Sequence, residues 1–198
     1  FIIFLKNHSS GKRVFALLQL DLHWIADREL RRMFSDIPEK FHLELMSFCA
    51  KNNLPSLAYR IADIERKKSK ISWYGALFPD LENSEKFFEN KDKALIHSII
   101  RQESRFDQRG KSYAKALGLM QIIPSTAAFV SGDRGYLGNM KHDLLLKNTN
   151  ITIGNNYISQ LLKEKIINNN IIYLLAAYNG GPGNLNKWKK KLNYNKDY

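Results

Sequence analysis

Apolar residues in this chain recur at the three- and four-residue steps that put side chains on one face of an α-helix. In "KALIHSIIRQES", Ile96, Ile99 and Ile100 share a stripe, which predicts a helix over about 92–104. The same periodicity predicts helices over about 124–131, 148–165 and 170–178. They are separated by loops carrying "RGKSYAKALG", "SGDRGYLGN" and "NGGPGN". The first half reads as shorter helices. "FALLQLDLHWIADRELRRMF" has helical spacing. "SDIPEKFHLELMSFCAK" opens with Ser35 as an N-cap, Pro38 in the first turn and Glu39 behind it. "NNLP" then breaks the chain before "SLAYRIADIERKK" resumes a helix. No stretch alternates with period two over several strands. The expectation is a mostly α protein in two parts. Residues 1–80 are helix–break–helix units of a solenoid, ending in "ISWYGALFPD". Residues 81–198 form a second domain that opens with "LENSEKFFENKD", read as a polar connector with a short helical turn.

One polar residue breaks the pattern. The next stripe position, seven beyond Ile96, is Glu103. Burying an unpaired carboxylate is costly, and the neighbouring Arg101 and Arg105 point to other faces of the helix. Two more stretches combine unusual residues. "ALGLMQIIPST" (116–126) places Gln121 in an apolar turn after Gly118, with Pro124 opening a helix. "LLAAYNGGPGN" (174–184) ends a buried-looking helix at Tyr178 and Asn179, followed by a glycine-rich turn. Taken singly, each has a plain structural reading. Gln121 suits a helix start, Tyr178 a core position with its hydroxyl at the surface, and Glu103 the snorkelling end of its stripe.

Composition narrows the classes. The 198 residues are 44% hydrophobic and 25% charged, as in a soluble globular protein. No run approaches the ~18–20 apolar residues of a membrane span. The opening "FIIFL" is too short for a signal h-region and no Met precedes it, so the N-terminus reads as a processed or truncated end. Cys49 is the single cysteine and has no partner for an internal disulfide. Histidines 8, 23, 42, 97 and 142 form neither an HExxH nor a Cys/His cluster, so neither metal nor cofactor is expected. The net charge of +12 is lopsided: residues 1–92 hold 15 Lys and Arg against 13 acids, and residues 93–198 hold 16 against 6. That points to a polyanionic partner, or simply to a well-solvated basic surface. Carboxylate chemistry in the second half must draw on Glu103, Asp107, Asp133, Asp143, Glu164 or Asp197.

"RQESRFD", "GLMQIIPSTA", "NTNITIGNNYISQLL" and "AAYNGGPGNLNKW", in this order between about residues 90 and 190, resemble the successive motifs of the soluble lytic transglycosylases. These are goose-type-lysozyme-like enzymes that cleave peptidoglycan. "ISWYGALFPD" followed by a helix into "IIRQES" is similar to that family's junction between a helical superhelix and its catalytic domain. The resemblance implies a superhelix fragment followed by a lysozyme-like α domain. It also implies non-hydrolytic cleavage of the β-1,4 bond between N-acetylmuramic acid and N-acetylglucosamine, leaving 1,6-anhydro ends. Glu103 would act as acid and then base. Facing an apolar pocket, its charged form is destabilised and its pKa rises towards the ~6–7 that suits this work.

On the same resemblance, Ser104 and Ser112 would position the catalytic region and the sugar. Gln121 would hydrogen-bond substrate, and Met120 and Phe106 would shape the pocket. Tyr178 would bring its hydroxyl near Glu103, and Asn179 would support the site. Two positions depart from the family pattern. Lys115 stands where many relatives have a small residue or Gly, and Ile123 replaces a Met that lines the sugar site, keeping the apolar contact. The implied partner is the peptidoglycan strand and the implied location the bacterial cell envelope, specifically the periplasm. A basic surface suits the carboxylates of lactyl-peptides. Three rival readings remain at this point. The first is a hydrolytic muramidase using Asp133 or Asp143 as second carboxylate, which needs a separation of roughly 5–5.5 or 6.5–9.5 Å. The second is a non-catalytic peptidoglycan-binding module. The third is nucleic-acid binding through "NKWKKKLNYNKDY", although no nucleic-acid motif appears. Asp107, one turn beyond Glu103, reads as an anchor for the following loop.

Overall fold

A computed structural model describes residues 1–81 and 92–192. Among the described residues the chain is helical, with no β-strand and two isolated bridges, Lys111 with Leu117 and Leu117 with Ile122. The first part comprises α1 (Ile2–Asn7), α2 (Ser9–Gln19), α3 (His23–Arg32), α4 (His42–Lys51), α5 (Pro55–Ser69) and the single turn α6 (Tyr74–Leu77). α1 packs on α2, α2 on α3, α4 on α5 and α5 on α6, while α3 also meets α5, as in a helical superhelix.

Local detail emerges in this part, with one expectation corrected. Most of "FIIFL" enters α1, with Leu5 buried and the Phe4 ring 5.7 Å from that of Phe41. The helically spaced stretch from Phe15 divides where Asp21 adopts a left-handed φ of 54°. Ser35 lies in a 3-10 turn, Phe34–Asp36, and caps nothing. Pro38 holds the preceding Ile37 extended, so α4 starts only at His42. The α5 helix follows its sequence signals closely. Pro55 occupies its first turn, and Arg66, Lys67 and Lys68 sit at its negative C-terminal end.

Of "LENSEKFFENKD", residues 82–91 lie outside the described residues, as do 193–198 of the basic tail. The second part then comprises α7 (Lys93–Ser104), α8 (Pro124–Ser131), α9 (Lys147–Lys163), α10 (Ile171–Gly180) and α11 (Pro182–Lys191). The Asp92 carboxylate caps α7 by accepting from the Leu95 N–H at 3.0 Å. Ile96, Ile99 and Ile100 are buried, each contributing about 2 kcal/mol. That burial fixes the rotation of α7 about its axis, and the rotation decides where Glu103 faces. On α9 the inward face includes Gly154, where a Cβ would lie 2.2 Å from the Met120 sulfur.

Each part has its own apolar core, and Tyr59 of α5 borders both. The seam between them is held mostly by arginines. Arg31 forms an ion pair with Asp27 at 2.8 Å and donates to Asp107 at 2.6 Å. The Arg101 guanidinium lies 4.6 Å from the Phe78 ring and 5.4 Å from that of Tyr59. Arg109 stacks 4.2 Å over Trp24.

Candidate active site

At the C-terminal end of α7 a cleft of about 350 Å³ opens between the 112–123 loop, the start of α8, Tyr157 of α9 and the end of α10. Among the described residues Glu103 is the one carboxylate that lines it. It is half-buried, and burial pushes its pKa up. A hydrogen bond with Asn179 works against that rise by favouring the charged form. The carboxyl is therefore biased towards holding its proton while keeping a partner for the carboxylate state.

Tyr178 and Asn179 occupy successive positions on α10, which Asn170 starts by accepting from the N–H groups of Ile172 and Tyr173. The Tyr178 hydroxyl donates to the Met120 carbonyl at 2.8 Å. Burial, the charge of Glu103 and the neighbouring Tyr157 hold this phenol well above its ordinary pKa, so it stays a donor. Its proton is thus committed to the 120 backbone rather than to Glu103, although Glu103 is close enough to act on it. Tyr157, whose ring centroid is 5.4 Å from that of Tyr178, completes this wall.

The opposite wall is a loop built on unusual backbone. Gln121 has φ 49°, and its amide donates to the Gly118 carbonyl at 2.8 Å. Gly118 has φ 76°, and a Cβ there would lie 2.3 Å from the Leu144 carbonyl oxygen, so only glycine fits. Ser112 lines the cleft and closes the 112–116 turn, its hydroxyl accepting from the Ala116 N–H at 3.0 Å. Ile123 also lines the cleft and is 40% exposed. Lys115, with φ 64°, lies in this same turn but does not line the cleft.

Of the residues expected at the site, Glu103, Ser112, Gln121, Ile123, Tyr178 and Asn179 come together in the cleft, and three do not. Ser104 ends α7 and donates to the Ile100 carbonyl at 3.1 Å. Phe106 is 2% exposed and lies in the core facing the seam, its ring centroid 6.0 Å from that of Tyr59. A left-handed φ of 62° just past the helix end turns it that way. The Met120 side chain is fully buried against Gly154, so the residue reaches the site only through its backbone carbonyl. Asp107 is anchored at the seam by Arg31, Asp133 caps a 3-10 turn by accepting from the Gly135 N–H, and neither they nor Asp143 line the cleft.

Sequence reasoning missed Tyr157 and Asn150. Asn150 is fully buried on α9 and acts as a three-way tie. Its side-chain oxygen accepts from the Met120 N–H at 2.7 Å, and its amide donates to the carbonyls of Leu117 at 2.8 Å and Leu144 at 2.7 Å. Both lay within a detectable signal. Asn150 is a polar residue on the apolar stripe of α9, and Tyr157 sits three positions beyond the inward-facing Gly154.

This fold and cleft define a lysozyme-like α domain preceded by a helical-superhelix segment. The chain belongs to the transglycosylase SLT domain family, whose model matches residues 81–198. It is 39% identical over 94 residues to the soluble lytic murein transglycosylase of Escherichia coli (strain K12), covering 46% of this chain and 14% of that protein. It is also 39% identical over 112 residues to the membrane-bound lytic murein transglycosylase E of Buchnera aphidicola subsp. Baizongia pistaciae, covering 54% of this chain and 52% of that one. The crystal structure of the 70 kDa soluble lytic transglycosylase from Escherichia coli superposes with a TM-score of 0.75 at 26% identity, over 94% of this chain and 30% of that chain. The match to the complex of the 70 kDa soluble lytic transglycosylase with bulgecin A has a TM-score of 0.76 at 25% identity, again over 94% of this chain and 30% of that one. The chain therefore spans only a small part of these soluble relatives.

Proposed function

We propose that this domain cleaves peptidoglycan between N-acetylmuramic acid and N-acetylglucosamine without water, as a lytic transglycosylase. The observation that carries the reading is Glu103, a carboxylic acid with a raised pKa and no second carboxylate among the described residues lining its cleft. Glu103 gives its proton to the glycosidic oxygen as the bond to the muramic C1 breaks, freeing the glucosamine 4-hydroxyl. The resulting Glu103 carboxylate, held by Asn179, takes the proton from the muramic C6 hydroxyl as O6 bonds to C1. The product is a 1,6-anhydro end, and the acid is restored. An internal hydroxyl is already near its target, so no protein nucleophile is required. Ser112, Gln121 and the apolar faces of Ile123 and Tyr157 line the space a sugar would fill. Residues 81–198 are the catalytic unit in this reading. Its excess of lysine and arginine suits a wall polymer bearing peptide carboxylates, and the site of action is the cell envelope, in the periplasm.

Digestion of purified sacculi with product masses recorded tests this directly. Anhydro-ended fragments are expected from wild type and from folded Asp133→Asn and Asp143→Asn variants. Products with one added water, or an Asp variant as inactive as Glu103→Gln, would establish a two-carboxylate hydrolase instead.

A further inference from the structure

A groove of about 300 Å³ runs beside α5 at the seam, sharing no lining residue with the Glu103 cleft. Phe34, Leu57, Tyr59 and Ile64 give it an apolar floor. Arg60 of α5 and Arg105, which directly follows α7, stand at its edge. Two other cations there are already neutralised: Arg31 is held by Asp27 and Asp107, and Lys67 by Asp63 at 2.7 Å. Asp63, the one carboxylate among the described residues of the groove, also holds Arg66 at 2.8 Å. Among the described residues Arg60 and Arg105 have no carboxylate in hydrogen-bonding contact, although Asp27 acts on Arg60 through its charge. Two guanidinium groups lining one groove repel each other, and an oxyanion bound to both relieves that repulsion.

We propose that this groove binds short carboxylate-bearing peptides, with the carboxylate between Arg60 and Arg105 and the peptide body on the Phe34–Tyr59 floor. The guanidinium fork matches a carboxylate in a bidentate way. Asp63 at the edge opposes a doubly charged phosphate more than a singly charged carboxylate, and the apolar floor suits a peptide rather than a bare ion. The volume lies at the small end of the roughly 300–1,000 Å³ range of ligand pockets, so the occupant is about dipeptide-sized. Because Arg60 and Arg105 come from opposite sides of the seam, an occupant would tie the superhelix segment to the helix that carries Glu103. The proposal goes beyond the reaction assigned to Glu103 and is independent of it.

Equilibrium dialysis of the full chain with labelled acetyl-Ala-Glu, its diamide and inorganic phosphate tests the site. The dicarboxylate is expected to bind and the diamide not to. Arg105→Gln, at an exposed position, should weaken binding roughly tenfold. Arg60→Lys, which keeps the charge but loses the fork, should weaken it in the same direction. Wild-type affinity in both variants would place the peptide elsewhere and overturn the proposal. So would no binding of the dicarboxylate, or phosphate binding as tightly with the same sensitivity to both variants. Binding is read without turnover, so its failure is distinct from a failure to digest sacculi.

Discussion

Replacing Asn150 with Ala removes one side chain from three backbone groups at once. The Met120 N–H loses its acceptor, and the Leu117 and Leu144 carbonyls lose this donor, all in a region closed to solvent. Each such loss costs ~1–3 kcal/mol when the group stays dry. The truncation leaves room for a water that restores part of the bonding. The net expectation is about 4 kcal/mol, among the larger effects of a single substitution. At roughly 2–4 °C per kcal/mol for a chain of this size, the melting temperature should fall by about 10 °C. Thermal melts followed by far-ultraviolet circular dichroism read this out. Activity should fall further than stability accounts for, because Asn150 holds the N–H and Tyr178 the carbonyl of Met120. A melting temperature within about 2 °C of wild type would refute the assignment of Asn150 as the tie that shapes this wall.

Glu103→Gln should abolish sacculus digestion while leaving the fold intact, since the amide cannot donate the proton; activity within about tenfold of wild type would exclude Glu103 from the chemistry. Burial raises the pKa of Glu103 in the folded state, so the folded protein holds a proton that the unfolded chain releases, and stability falls as pH rises through that window. Glu103→Gln should therefore melt above wild type at pH 7, with the gap closing below about pH 4, near the unfolded glutamate value; a gap independent of pH would contradict this. Tyr178→Phe should lower turnover strongly and stability by about 1 kcal/mol, because the Met120 carbonyl loses its donor; a lowered melting temperature with turnover unchanged would make Tyr178 purely structural. Arg31→Met leaves Asp27 and Asp107 without their shared cation and should destabilise by about 3 kcal/mol, as chemical denaturation would show; a loss below about 0.5 kcal/mol would contradict this.

Helix positions were readable because burial stripes set them. The stripe of Ile96, Ile99 and Ile100 located α7 and directed attention to Glu103. The same rule applied to α9 picks out Asn150, on a stripe with Gly154 and Ile158, as a second polar residue facing inward. The loops between α7 and α8 were not readable in this way. Arg105, Phe106, Lys115 and Gln121 all adopt left-handed backbone there, with φ between 49° and 64°, and none is a glycine or asparagine that would announce it. That geometry sends Phe106 to the seam instead of the cleft. The acceptor of the Tyr178 hydroxyl was unreadable for a related reason: it is a backbone carbonyl 58 residues away in sequence, set by packing rather than by local pattern. In the first part, helix breaks at Asp21 and Ile37 depended on backbone torsions that apolar spacing does not encode.

The Arg109–Trp24 stack gives the molecule an optical gauge of its own. Trp24 belongs to α3, and its indole face is covered by a guanidinium from the other part of the chain. Any event that parts the two halves uncovers that face to water and shifts its emission to longer wavelength. The other two described tryptophans do not sense the same event: Trp73 lies in the turn before α6, and Trp188 packs its ring over Gly180 beside the cleft. With Trp73 and Trp188 replaced by Phe, a single fluorophore would follow docking of the superhelix segment on the lysozyme-like domain in real time.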